Sequence, residues 1–165
     1  MEQVKFDGSL KEFFLFMRDD KQFYYETTDE GRAAYLAAAT AAIEAMKGKI
    51  PEYFGLLPKA PVEVKRVEPF RERSAGKAFY QRPSPDGSRP GRFYANVYDM
   101  AQMPKSQMEA QDFHEGLPGH HLQIAIPQEP DSNPLFQKFA RVTAFAEARG
   151  LSPELVVTGR GIAIN

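Results

Sequence analysis

Between Ser9 and Asp20 the apolar residues Leu10, Phe13, Phe14 and Met17 recur every three or four positions, the interval that gathers side chains on one face of an α-helix. Ser9 and Glu12 stand three apart at its start, the spacing of a capping box. A helix with a buried face is therefore expected here. Thr27 and Glu30 repeat the capping spacing ahead of GRAAYLAAATAAIEAMKGK. The alanines of that segment, with Tyr35, Leu36, Ile43 and Met46, predict a long, closely packed helix ended by Gly48 and Pro51.

The period then shortens. PVEVKRVE (Pro61 to Glu68) begins by alternating apolar and charged residues, and KAFYQRP and GRFYANVYD are short, aromatic and bounded by proline or glycine, which predicts three strands. Between the last two lies RPSPDGSRPGR, Arg82 to Arg92, too long for a tight hairpin turn and expected to expose its tip. From Pro104 the helical pattern returns through KSQMEAQDFHEG. Asn133 as a cap and Pro134 in the first turn predict a further helix, LFQKFARVTAFAEARG, stopped by Gly150. The order of helices, small strands and helices makes the fold class mainly α with a small β element (α+β). The blocks are a helical 1–60, short strands and a loop over 61–100, helices over 101–150, and a tail over 151–165.

Composition narrows the chemistry. At 165 residues the chain fits one domain with a real core. It has no cysteine, so thiolate metal sites, disulfides and cysteine nucleophiles are excluded, and any metal must take nitrogen and oxygen ligands. With 21 basic and 22 acidic residues the net charge of −1 offers no electrostatic footprint for nucleic acid or an anionic membrane. MEQVKFDGSLKEFF has no apolar core of signal-peptide length, and no run approaches a membrane span.

All three histidines fall within FHEGLPGHHLQ, Phe113 to Gln123, beside one glutamate. Catalytic zinc takes imidazole and carboxylate ligands and keeps a position open, while a nearby glutamate serves as base. His114 and Glu115 supply the first ligand and the base. In the common zinc helix the second histidine follows four residues later, but that position is Pro118. His120 is six residues on, and reaches the same site if Leu117-Pro118-Gly119 unwinds or the helix widens. His121, seven on, returns to nearly the same face but lies about 10 Å away along a regular helix axis. His120 is the favoured ligand, with His121 a rival or a supporting residue. Glu147, in the apolar setting VTAFAEA, is the local candidate for the third ligand; the alternative is a solvated helix charge.

GRFYANVYDMAQMPKSQMEAQDFHEGLPGHHLQIAI resembles a bacterial family called domain of unknown function 885 (DUF885). In that family a His-Glu-x-x-Pro-Gly-His-His-x-Gln signature follows a strand ending in Asn-x-Tyr-Asp. The similarity reaches upstream through PDGSRPGRFYANVYD, YFGLLPKAPVEVKRVEPF and GSLKEFF. The resemblance implies a large, mainly helical, gluzincin-like zinc metallopeptidase, distantly similar to thimet oligopeptidase and Taq-type carboxypeptidases, whose shorter signature reads His-Glu-x-Gly-His. Matching that Gly-His to Gly119-His120 supports His120. The family continues with Phe-x-Glu-Gly-Trp-Ala-x-Tyr, and Phe145 and Glu147 fit its first and third positions. Ala148 and Arg149 depart from the Gly-Trp that follows, and the tyrosine is absent. The resemblance thus implies a single partial domain, 1–165, from the middle of a larger peptidase, with a divergent tail. An export signal of the parent would not be visible, and localisation is not readable.

The leading expectation is a hydrolase in which His114, His120 and Glu147 bind zinc and Glu115 is the general base, with a peptide as substrate. The strand around RFYANV is expected either to offer a free edge to an extended peptide or to be an ordinary core strand with Phe93 and Tyr94 on opposite faces. A second reading is a remnant that binds metal or a partner without turnover. A third is a structural helical domain holding no metal.

Overall fold

Helix α2 (Asp29–Lys49) is the spine of the computed structural model, which describes residues 6–140 and 142–159, the side chains of 153–159 excepted. Its alanines let neighbours approach closely: Tyr35, Ala39, Ala42, Ile43 and Met46 are buried along one side. Thr28, not Thr27, is the N-cap, its hydroxyl accepting from the Gly31 amide. With glycine rather than glutamate three residues on, the reciprocal bond of a capping box cannot form. The helix runs through Gly48 and tightens into a 3₁₀ turn, Ile50–Glu52, at Pro51.

Helix α1 (Leu10–Asp19) has the expected Ser9–Glu12 capping box, but none of its residues is buried. Leu10 and Phe14 are mostly exposed. Phe13 and Phe16 rest on Phe6, and Phe16 meets Phe23 edge-on. The periodicity marked a helix correctly, yet it could not say what packs on the apolar face.

Strands β1 (Val62–Arg66), β2 (Ala78–Gln81) and β3 (Gly91–Ala95) form one mixed sheet in the order β1-β3-β2. β3 runs parallel to β1 and antiparallel to β2, with Val64 opposite Phe93 in one ladder and Tyr80 opposite Phe93 in the other. RFYANV is thus the central strand, and the expected free edge there is overturned. Phe93 and Ala95 are buried on the face that packs against Tyr35 and Ala39 of α2, and Tyr94 is buried on the other, stacked on Phe79 and covered by Arg71. The loop from β2 to β3 exposes its tip, where Gly87 takes a φ of 74°.

Two apolar clusters tie the sheet to α2. One joins Ile43, Met46, Ile50 and Val62 to Phe113 and Leu117; the other joins Tyr35 and Ala39 to Phe93, Ala95, Val97, Met100 and Met103. Phe113 and Leu117 bracket the His-Glu pair, so the first cluster anchors the segment that carries it.

The C-terminal part departs from expectation. The single helix expected from Asn133 is two, α5 (Leu135–Phe139) and α6 (Thr143–Gly159), separated where Ala140 is extended. Asn133 does not cap; its side-chain amide donates to the Pro127 carbonyl. Gly150 does not stop α6, which continues into the segment expected to be a divergent tail. Residues 160–165 lie outside the described residues. No helix among those described is long and apolar enough to cross a membrane.

Candidate metal centre

Helix α3 (Lys105–Gln111) widens into a π-helical turn over Asp112–Gly116, which carries His114 and Glu115. The chain then unwinds at Leu117–Gly119, across a cis Leu117–Pro118 bond, and α4 (His120–Gln128) begins. The Gly119 amide donates to the Phe113 carbonyl, closing the break. The unwinding expected at Leu117–Gly119 is present, and the helix also widens in the turn directly before it. Together they absorb the two extra residues and bring His120 beside His114, with ring centroids 4.8 Å apart.

Glu147 completes the group from α6. His114 Nε2 lies 3.3 Å from Glu147 Oε2, and His120 Nε2 lies 3.7 Å from the same oxygen. One donor atom from each of the three residues lies within 4.8 Å of the others, so the group could hold a metal ion. A tetrahedral ion with bonds of about 2.0–2.2 Å separates neighbouring donors by about 3.3–3.6 Å; the His114–Glu147 edge falls in that range, the His120–Glu147 edge lies just above it, and all three donors lie within 4.8 Å of one another. Two imidazoles and one carboxylate also form a donor set that leaves a position for water or substrate. The structure thus brings together the three residues expected as ligands, in a group that could hold a metal.

The surroundings orient the donors. His120 is 5% exposed, and its Nδ1 lies 3.4 Å from Gln123 Oε1. An Nδ1–H donated to that carbonyl oxygen leaves Nε2 as the lone pair facing Glu147. Glu115 sits at the margin, with Oε2 3.9 Å from His120 Nε2. Gly150 is the close approach on the other side, since a Cβ there would come within 2.5 Å of His114 Nε2. A residue expected to end a helix instead makes room for a candidate ligand.

His121 lies outside this group. Its Nε2–H donates to the Ala60 carbonyl at 2.9 Å, so Nδ1 is the acceptor for the Tyr80 hydroxyl at 2.8 Å. Burial pushes its pKa down to about 4, outweighing the opposing effect of the Ala60 hydrogen bond. The same burial pushes the Tyr80 phenol up, with Arg89 and Arg82 acting against it. A Cβ on Gly91 would come within 2.6 Å of both Tyr80 Oη and His121 Nδ1, so β3 can pass this pair only with glycine there. Through this contact α4 is pinned to the sheet and to the segment before β1.

Beside the centre lies a cavity of about 450 Å³ bordered by Tyr80, Glu115, His120, Phe145 and Glu147. Ala78 and Phe79 of β2 border it as well, so the sheet edge facing the centre belongs to β2. Asp112, one residue before Phe113, is fully buried with no hydrogen-bond partner on either oxygen among the described residues. Burial, and secondarily the Glu109 charge, pushes its pKa up to about 8. Sequence reasoning missed Tyr80, Gln123, Gly91, Gly150 and Asp112. Only Gln123 carried a signal, as the last residue of the quoted signature.

The solved structure of the "putative lipoprotein from Colwellia psychrerythraea" is similar to this chain, with a TM-score of 0.89 and 29% identity. The match covers 98% of this chain and 28% of that protein, so the chain spans a minor part of its relative's length. No curated protein matches the chain. The family described as "Bacterial protein of unknown function" matches residues 1–148. That match takes in the sheet, the π-turn, both histidine ligand candidates and Glu147, and the chain belongs to the DUF885 family.

Proposed function

We propose that this chain carries the metal centre of a zinc-dependent, peptidase-like hydrolase, with His114, His120 and Glu147 as ligands and Glu115 as general base. The observation that carries the reading is the pair of donor separations, 3.3 and 3.7 Å, among two imidazoles and a carboxylate. Zinc, when bound, supplies a Lewis acid that polarises a carbonyl and makes water more acidic. Glu115 is the nearby carboxylate that does not belong to the three-donor group. In this reading it accepts the proton of the attacking water and returns it to the leaving amine.

The free edge of β2 supports a peptide substrate. β2 has β3 on one side and no strand on the other among the described residues, while Ala78, Phe79 and Tyr80 border the cavity shared with Glu115 and His120. An extended peptide added to that edge makes main-chain hydrogen bonds and passes its carbonyls before the metal centre.

The test is metal analysis together with a peptide-cleavage assay on the purified chain. One zinc per chain with zinc-dependent cleavage is expected; absence of zinc binding on titration overturns the reading. A second reading, metal binding without turnover, is favoured by one observation, Ala148 and Arg149 standing where the resembled pattern has Gly-Trp directly after Glu147. Stoichiometric zinc with no cleavage selects it.

A further inference from the structure

Arg82 follows β2 directly and borders the same cavity as Glu115, His120 and Glu147, together with Lys138 from α5. Its guanidinium is held in place without being neutralised. Nη1 donates to the Lys138 carbonyl at 3.4 Å, and the group lies 5.9 Å from the Phe139 ring centroid. Among the described residues neither Arg82 nor Lys138 makes an ion pair, whereas Arg66, Arg71 and Arg92 each pair with a glutamate. Both are only half-buried, so the remaining N–H groups stay accessible from the cavity.

The charge balance of the cavity points the same way. The ionised residues bordering the cavity are two cations, Arg82 and Lys138, and two carboxylates, Glu115 and Glu147. A divalent ion held by Glu147 and the histidines shifts that balance to two net positive charges. A cationic, partly apolar pocket selects an anionic ligand, and a guanidinium presents a fork of donors that matches a carboxylate.

The geometry points to Arg82, assisted by Lys138, as the anchor for a carboxylate on the substrate. The location rests on the hydrolase reading above, and the inference extends it to a substrate class. A terminal α-carboxylate held just past the end of β2 makes the enzyme an exopeptidase acting near a free C-terminus. A side-chain carboxylate in the same place makes it selective for acidic residues. The shared chemistry is the carboxylate.

The experiment is fluorescence anisotropy with three dansylated apolar tetrapeptides: the free acid, the C-terminal amide, and an amide with one internal aspartate. It uses the full chain in the Glu115→Gln background with zinc present, so that turnover does not consume the probe. The free acid is expected to bind roughly tenfold or more tightly than the plain amide, the scale of one charge-assisted contact. That preference is expected to vanish in Arg82→Gln, to survive in part in Arg82→Lys, and to weaken in Lys138→Met. Recovery of affinity by the aspartate amide assigns the site to an acidic side chain; no recovery assigns it to the chain terminus. Equal binding of all three peptides, or no binding of any, overturns the inference. Zinc titration by calorimetry separates the two claims: loss of zinc binding sinks the hydrolase reading alone, while a carboxylate preference dependent on Arg82 upholds the anchor regardless.

Discussion

Gly150 of α6 and His114 of the π-turn are in contact so close that a single Cβ on the glycine would sit 2.5 Å from the imidazole Nε2. Alanine favours a helix interior by about 1 kcal/mol over glycine, so Gly150→Ala improves α6 locally while displacing His114. Zinc affinity is expected to fall roughly tenfold or more, in line with an overpacking cost of about 1–3 kcal/mol. Calorimetric zinc titration beside a thermal melt reads both effects. Unchanged affinity would show that the contact does not position His114.

The three histidines are expected to separate by phenotype. His114→Ala and His120→Ala each remove a donor facing Glu147 and should abolish tight zinc binding with little loss of fold. His121→Ala keeps all three donors. It leaves the Tyr80 hydroxyl and the Ala60 carbonyl without their buried partner and opens a cavity, at about 2–4 kcal/mol. Zinc stoichiometry and chemical denaturation check this, and equal zinc loss in His120→Ala and His121→Ala contradicts it.

Glu115→Gln should retain zinc and lose hydrolysis. Glutamine keeps the shape of the side chain but not its basicity, and general base catalysis contributes about 10²–10⁴-fold in rate. Paired metal analysis and cleavage rates decide the matter. Loss of metal makes Glu115 a ligand, and retention of full activity removes it as the base.

Gly91→Ala should destabilise the protein by more than Tyr80→Phe, since it drives a Cβ against both Tyr80 Oη and His121 Nδ1. Removing the hydroxyl alone costs about 1–2 kcal/mol through the lost buried bond. In the double variant part of the clash is gone, so the two costs should sum to more than the observed loss. A double-mutant cycle from urea denaturation measures that coupling. Strict additivity would mean the two residues do not meet in solution.

Thr28→Ala should cost about 1 kcal/mol, the usual value for a lost N-cap, and Thr27→Ala should stay within about 0.5 kcal/mol, as for ordinary surface changes. Thermal melts of the two variants distinguish them. A larger loss at Thr27 would return the cap to the position suggested by the Thr27–Glu30 spacing.

The sequence by itself determined the local elements and the donor chemistry of the candidate metal ligands. Helical spacing from Leu10 and the alanine run from Ala33 marked α1 and α2, and the aromatic segments around Tyr80 and Phe93 marked strands, because side-chain period and capping are local properties of the chain. The His-Glu pair, the break at Leu117–Gly119 and the approach of His120 to His114 were legible because proline and glycine disfavour a regular helix at defined positions. What tertiary structure decided was which distant groups meet. Ala60, Tyr80, Gly91 and His121 are far apart in sequence and adjacent in space, so nothing local distinguished His121 as the residue pinning α4 to the sheet. Strand order likewise placed β3 at the centre and left β2 facing the cavity, a consequence of pairing that alternation along one strand does not encode. Gly150 read as a helix stop because glycine often ends helices, but its role came from His114 on another element, whose ring fills the space a side chain would have taken.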